Sequence, residues 1–371
     1  MSARRAYRRP RARDCAADRR RHRGHEGEGP YDDPRGTEFP FRIAPRRPSL
    51  RDGAWPHRRC GAARRGAGPH RPDQILSGGM RAMSTQALFG QLLVGLINGS
   101  FYAMLSLGLA IIFGLLGIAN IAQGAFYMMG AFFSWLLLRE AGIGYFYALL
   151  LSPLLVGLIG AVVERTLLRR IYKLSHEYGL LLTFGILMFT QGLFTYLFQT
   201  AGRPYPVPPE LAGGYNLGFM FLPKYRAWVV VASLVTCFSA WFVLEKTSLG
   251  RTLRAATENP ALTRAFGVNV PALMTIVFGA GVALAGAAGV LAAPIYTVSP
   301  IMGADLVIVV FAIIVIGGMG SILGSIVTSL SLGILEGLAK VYYPQGSNMV
   351  VFVVMILVLL VRPAGLFGRE R

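Results

Sequence analysis

What the chain lacks narrows its chemistry before any motif is considered. Charged residues make up only 15% of the 371 positions, where a soluble domain carries about a quarter. That argues against an ordinary cytosolic enzyme, and an apolar content of 54% argues against a disordered chain. Three cysteines, Cys15, Cys60 and Cys237, are too few and too scattered for a disulfide scaffold or a Cys-rich metal cluster. No Gly-Lys dipeptide occurs, so there is no phosphate-cradling P-loop, and no His-Glu-x-x-His is present. His176 is the sole His beyond residue 70. Paired carboxylates within the apolar runs, which a proton-driven carrier would need, are missing as well. The expectation is a chain with no catalytic residues, no metal and no cofactor.

The charge that is present sits unevenly. Residues 1–82 hold 21 Arg, no Lys, nine acids and four of the five His, a net +12 out of +19. Runs such as Arg4-Arg5, Arg19-Arg20-Arg21 and Arg64-Arg65 lie among Ala, Gly, Pro and Asp without periodicity, and no apolar core of a secretory signal accompanies them. Arg, Ala, Gly and Pro share GC-rich codons. Residues 1–82 are therefore expected to be sequence read upstream of the true start, with Met83-Ser84-Thr85-Gln86 as a conventional opening. The alternative is an Arg-rich disordered tail that binds anionic lipid or nucleic acid.

From Leu88 onward the pattern changes to long apolar runs. A bilayer core of roughly 30 Å needs about twenty apolar residues. Uncharged runs of that class occupy 87–117, 120–138, 145–163, 179–199, 227–244, 271–304, 306–335 and 348–361. They lack a polar face, which disfavours a soluble helix bundle. The fold class expected is an all-α polytopic membrane protein over 83–371, with eight spans. A ninth follows if Gly317-Gly318-Met319-Gly320-Ser321 breaks the seventh run.

Lys and Arg in short loops set the orientation. Loop 164–178 holds Arg165, Arg169, Arg170 and Lys173, and loop 245–270 holds Lys246, Arg251, Arg254 and Arg264. Both are expected inside, the Pro-rich segment 200–226 outside, and Met83 outside. Arg362, Arg369 and Arg371 fall inside only with nine crossings.

Within the runs, Ser321, Ser325, Ser329, Gly333 and Gly337 recur every fourth residue, as do Gly281, Ala285, Gly289 and Ala293. Such ridges let helix backbones approach closely, within the chain or between subunits. The mid-membrane polar set is neutral: Asn98, Ser100, Asn120, Gln123 and Gln191. Asn98, Asn120 and Gln123 are the substrate-pathway candidates, the latter two because Gly117, Gly124 and Gly130 surround them. Asp305 and Glu336 read as interfacial anchors, Glu336 at helical ion-pair spacing from Lys340.

Loop 245–270 has legible grammar. Asn259 can cap a helix, Pro260 suits its first position, and Gly267 suits the residue just past its end. About two turns lie between them, with Leu262 and Phe266 on one face. So short a helix is marginal alone, so a receiving protein partner is expected; the alternative is a helix lying on lipid headgroups.

Here the residues resemble a known family. Gly250-Arg251-Thr252-Leu253-Arg254-Ala255-Ala256-Thr257-Glu258-Asn259-Pro260, followed by Ala265-Phe266-Gly267-Val268-Asn269, is similar to the cytoplasmic loop of permeases in branched-chain amino-acid ABC importers. Asn120-Ile121-Ala122-Gln123-Gly124 resembles that family's Asn-Phe-Ala-His-Gly stretch, with Gln123 departing from the His. Ile316-Gly317-Gly318-Met319-Gly320-Ser321 and Arg362-Pro363-Ala364-Gly365-Leu366-Phe367-Gly368 continue the likeness, which covers about 83–371. The lack of a long insert resembles the H-type rather than the M-type subunit.

The resemblance implies a multi-pass protein of the bacterial inner membrane that pairs with a second permease, two cytoplasmic ATPases and an external binding protein, and that takes no nucleic acid. It makes 251–267 the ATPase-coupling loop, with Arg251, Arg254, Glu258, Asn259, Pro260 and Gly267 at motif positions. Related permeases import urea, short amides or aromatic acids. An ion-coupled carrier and a non-transporting structural subunit are the readings from other classes.

Overall fold

A computed structural model describes residues 85–368 except Ile118, Lys173, Leu174 and 217–220. The Arg-rich head, and with it the expectation about Met83, lies outside the described residues. The described residues are helical almost throughout, because backbone amides in apolar runs must find their partners within the run. In order the elements are α1 (Thr85–Leu116), α2 (Gln123–Ala141), α3 (Tyr145–Ile171), α4 (His176–Phe198) and α5 (Lys224–Lys246). The chain continues through α6 (Ser248–Glu258), α7 (Pro260–Ala265), α8 (Val270–Ala292), α9 (Ala304–Gly317), α10 (Ile322–Tyr342) and α11 (Val350–Val361). A two-stranded antiparallel hairpin, β1 (Gly214–Asn216) and β2 (Phe221–Pro223), sets Tyr215 opposite Leu222 before α5.

Among the described residues, seven helices are long and apolar enough to cross a membrane: α1, α3, α4, α5, α8, α10, and α11 with the 3₁₀ turn before it. The protein is thus an all-α polytopic membrane protein. The seventh run of the sequence does break at its glycines. α9 stops at Gly317 after 14 residues, and α10 begins at Ile322, capped by the Ser321 hydroxyl, which accepts from the Gly324 N–H at 3.1 Å.

The two small-residue ridges pack inside the chain. Gly333 and Gly337 of α10 lie backbone to backbone against Gly95 and Gly99 of α1. One to two turns further along, Ser329 and Ser106 share a hydrogen bond of 2.7 Å. Gly281 of α8 meets Gly108 of α1, and Gly289 meets the Tyr127 carbonyl of α2. Nothing larger than glycine fits between such backbones. α1 is accordingly the buried centre, packed by α10, α8, α5 and α9, while α3, α4, α5 and α11 turn most of their apolar surface outward.

The closing motif folds back on the α9–α10 turn. The Leu366 N–H donates to the Ile316 carbonyl at 2.8 Å and the Phe367 N–H to Gly317 at 3.2 Å. These bonds satisfy carbonyls that the end of α9 would otherwise leave open.

Candidate functional site: a capped helical loop and a buried amide pair

Between α5 and α8 the chain forms two helices rather than one. α6 was not evident in the sequence. It buries Gly250, Leu253 and Ala256 along one face, against α5 and α1, and leaves Arg251, Arg254 and Glu258 exposed. Arg254 pairs with Glu245 at 2.8 Å, both side chains close to half exposed, an arrangement that contributes little to stability. Glu258 is the last residue of α6, so it stands at a helix C-terminus as well as beside the start of α7.

α7 matches its sequence grammar. Asn259 leaves helical geometry, and its Oδ1 accepts the Leu262 N–H at 3.0 Å. Pro260 occupies the first position, where its missing N–H costs nothing. At the other end the Gly267 N–H donates to Arg264 at 2.9 Å and the Val268 N–H to Thr263 at 3.4 Å. These two bonds form the left-handed C-cap, and Gly267 takes φ +82°, which glycine adopts without strain. Asn269 then caps α8 through the Ala272 N–H at 3.2 Å. Both ends of α7 and the start of α8 are thus fixed by caps. Thr263 faces inward, while Leu262 is 55% and Phe266 80% exposed. Two apolar side chains on a pinned two-turn helix form a surface that water alone would not favour.

The pathway candidates fall into two places. Asn120 and Gln123 are fully buried and come together at the start of α2: the Asn120 Nδ2 donates to Gln123 Oε1 at 3.3 Å. The Gln123 Nε2 reaches the Gly281 carbonyl of α8 at 3.1 Å, and among the described residues Asn120 Oδ1 has no hydrogen-bond partner. Gln123 and Gly124 also line a narrow crevice with Leu105, Leu109, Leu306, Val307 and Val310. Asn98 is elsewhere. It accepts from the Tyr296 hydroxyl at 2.8 Å, ten residues before Gly108, or about 15 Å along α1 from the level of Gln123.

Sequence reasoning missed two buried carboxylates. Glu336 is paired with Lys340, as its spacing implies, but it is buried against the bundle and also accepts from Tyr102 of α1 at 3.0 Å. Glu164 ends an apolar run and reads as the edge of a loop. In the structure α3 continues past it through a π-turn at Glu164–Leu168 and buries it completely. Among the described residues no cluster of His, Cys, Asp and Glu could hold a metal ion.

These features define a multi-pass helical membrane protein with a pinned amphipathic loop and one buried amide pair in its interior. Residues 91–359 match the family described as the permease component of the branched-chain amino acid transport system, and the chain belongs to that family. It is 28% identical to the high-affinity branched-chain amino acid transport system permease protein LivH of Escherichia coli K12, over 77% of this chain and 98% of the relative. BraD of Pseudomonas aeruginosa is 29% identical, over 75% of this chain and 95% of the relative. LivM of Escherichia coli K12 is 27% identical, but only 68% of its length is covered. The likeness is thus to the H-type subunit in extent. No solved structure matches the chain.

Proposed function

We propose that the chain is a permease subunit of an ATP-driven importer of branched-chain amino acids in the bacterial inner membrane. It works with a second permease, two cytoplasmic ATPases and an external binding protein. The observation that carries this reading is α7: capped at both ends, too short to stand alone, and presenting Leu262 and Phe266 outward. Such a helix suits a groove on another protein. Closure of the ATPases on ATP displaces α7, and α8, which begins directly after it, carries the displacement into the bundle. Arg251, Arg254 and Glu258 lie on the exposed face of α6 beside that contact. The buried amides of Asn120 and Gln123 are the neutral polar groups that a small solute would meet, Gln123 at the wall of the narrow crevice. With α2 and α9 crossing alongside the seven longer helices, this loop and Arg362 fall on one side, in keeping with the positive-inside rule.

A carrier driven by ions would draw on Glu164 and Glu336, which are buried. Reconstitution with and without the ATPases separates the readings. Leucine uptake that needs ATP and the ATPases supports the importer. Uptake without ATP favours the carrier, and no uptake under any condition favours a structural subunit. Competition by urea, short amides and aromatic acids then places the substrate within the family's range.

A further inference from the structure

Of the two buried carboxylates, Glu336 has a cation in Lys340. Among the described residues no Lys or Arg forms an ion pair with Glu164. Its two oxygens are held by hydroxyls instead. Tyr172, later on the same helix, donates to Oε1 at 2.7 Å, and Thr275 of α8 donates to Oε2 at 2.5 Å. As a stabiliser this is a poor choice, because a buried carboxylate without a cation costs more than hydrocarbon of the same volume. Its location is more informative. Glu164 opens the π-turn of α3, an irregularity that often marks functional positions. Thr275 lies in the second turn of α8, eight residues past the Gly267 cap. Further into the bundle α3 and α8 already touch closely, at Gly157 with Gly279 and Gly160 with Val282. The Glu164–Thr275 bond extends that contact to the end of α8 next to α7.

We propose that Glu164 is a positioning residue which, through Thr275, ties the first turns of α8 to the end of α3, so that displacement of α7 moves both helices together instead of bending α8 at its start. This rests on α7 being the coupling helix. The test uses the complete complex in lipid vesicles, with tritiated leucine as probe, and reads ATP hydrolysed per leucine imported. Glu164→Leu and Thr275→Val should keep hydrolysis within about twofold while import falls about tenfold, the effect of losing one hydrogen bond to a charged group. Glu164→Gln and Thr275→Ser keep an acceptor and a donor, and should return the ratio close to wild type. A merely structural role would lower the amount of assembled complex and leave the ratio unchanged, which would overturn the proposal.

Spin labels at Leu167 and Ala272, both exposed, give a readout that needs no substrate. Their separation should stay constant through the ATP cycle in the otherwise wild-type complex and broaden with Thr275→Val; a separation that changes on ATP without that substitution would overturn the proposal. If Glu164→Leu does not assemble, Thr275→Val, which removes a single hydroxyl, decides. Gly267→Val run alongside keeps the two ideas apart. If it lowers hydrolysis and import together while Thr275→Val leaves the ratio at its wild-type value, the role of Glu164 alone is lost. If Gly267→Val leaves both hydrolysis and import at wild type, the coupling assignment of α7 is lost with it.

Discussion

Gly267→Val isolates the shape of the coupling loop from everything else in the protein. At φ +82° an L-residue is strained, and a Cβ placed there meets nothing within 4 Å. The cost is therefore backbone conformation and not collision, roughly 1–2 kcal/mol, with a β-branched side chain at the upper end. Such a penalty shifts the balance between capped and uncapped loop by about five- to thirtyfold. α7 is six residues long and has no reserve of its own with which to absorb it. The transmembrane interfaces lie elsewhere, so insertion and the yield of assembled complex should not change. Purified complexes in vesicles, assayed side by side for substrate-stimulated ATP hydrolysis and leucine uptake, should lose both together. Gly267→Asn, which tolerates the left-handed region, should retain most of each. Wild-type values for hydrolysis and uptake in Gly267→Val would refute the reasoning and leave the loop as a connector on the lipid surface.

Other substitutions probe the remaining features. Phe266→Ala and Leu262→Ala should not affect membrane insertion, since both side chains are exposed, but should reduce the amount of ATPase that copurifies. Asn259→Ala removes a helix cap worth about 1 kcal/mol and should weaken uptake by less than Gly267→Val does, measured in the same vesicles. Asn120→Leu and Gln123→Leu should lower leucine uptake with assembly intact; unchanged uptake in both would make the pair a packing feature only. Gly333→Leu forces a side chain into the backbone of α1 and should cost more than about 3 kcal/mol, seen as loss of the protein from detergent extracts.

Much of this architecture was legible because a bilayer imposes strict rules on sequence. Run length gave the helices, and the glycine cluster at 317–320 marked the break between α9 and α10. Asn259, Pro260 and Gly267 announced α7 through local chemistry that needs no tertiary context. α6 was hidden because its inward face is Gly250, Leu253 and Ala256, two of them too small to register as apolar periodicity. Because Glu258 ends α6 and precedes α7, a cation there would oppose the start of α7 but suit the end of α6, so the two dipole effects offset each other. Glu164 was hidden because a charged residue at the end of an apolar run looks like a boundary, and only the π-turn carries the helix past it. Polarity identified Asn98, Asn120 and Gln123 as buried but said nothing about which shared a neighbourhood, since that depends on how helices distant in sequence pack.

The seam between α1 and α10 has a consequence for how the protein is made. Ser106 and Ser329, which share a hydrogen bond, are separated by 223 residues of chain. At roughly 5–20 residues per second, α1 enters the membrane about ten to forty-five seconds before its partner is synthesised. Throughout that wait its glycine notch and hydroxyl lack the partner surface that fills them in the finished bundle. The most buried helix of the finished bundle is therefore completed in stages, by α5, then α8, and only then α10, and the face that receives α10 is the one left open longest.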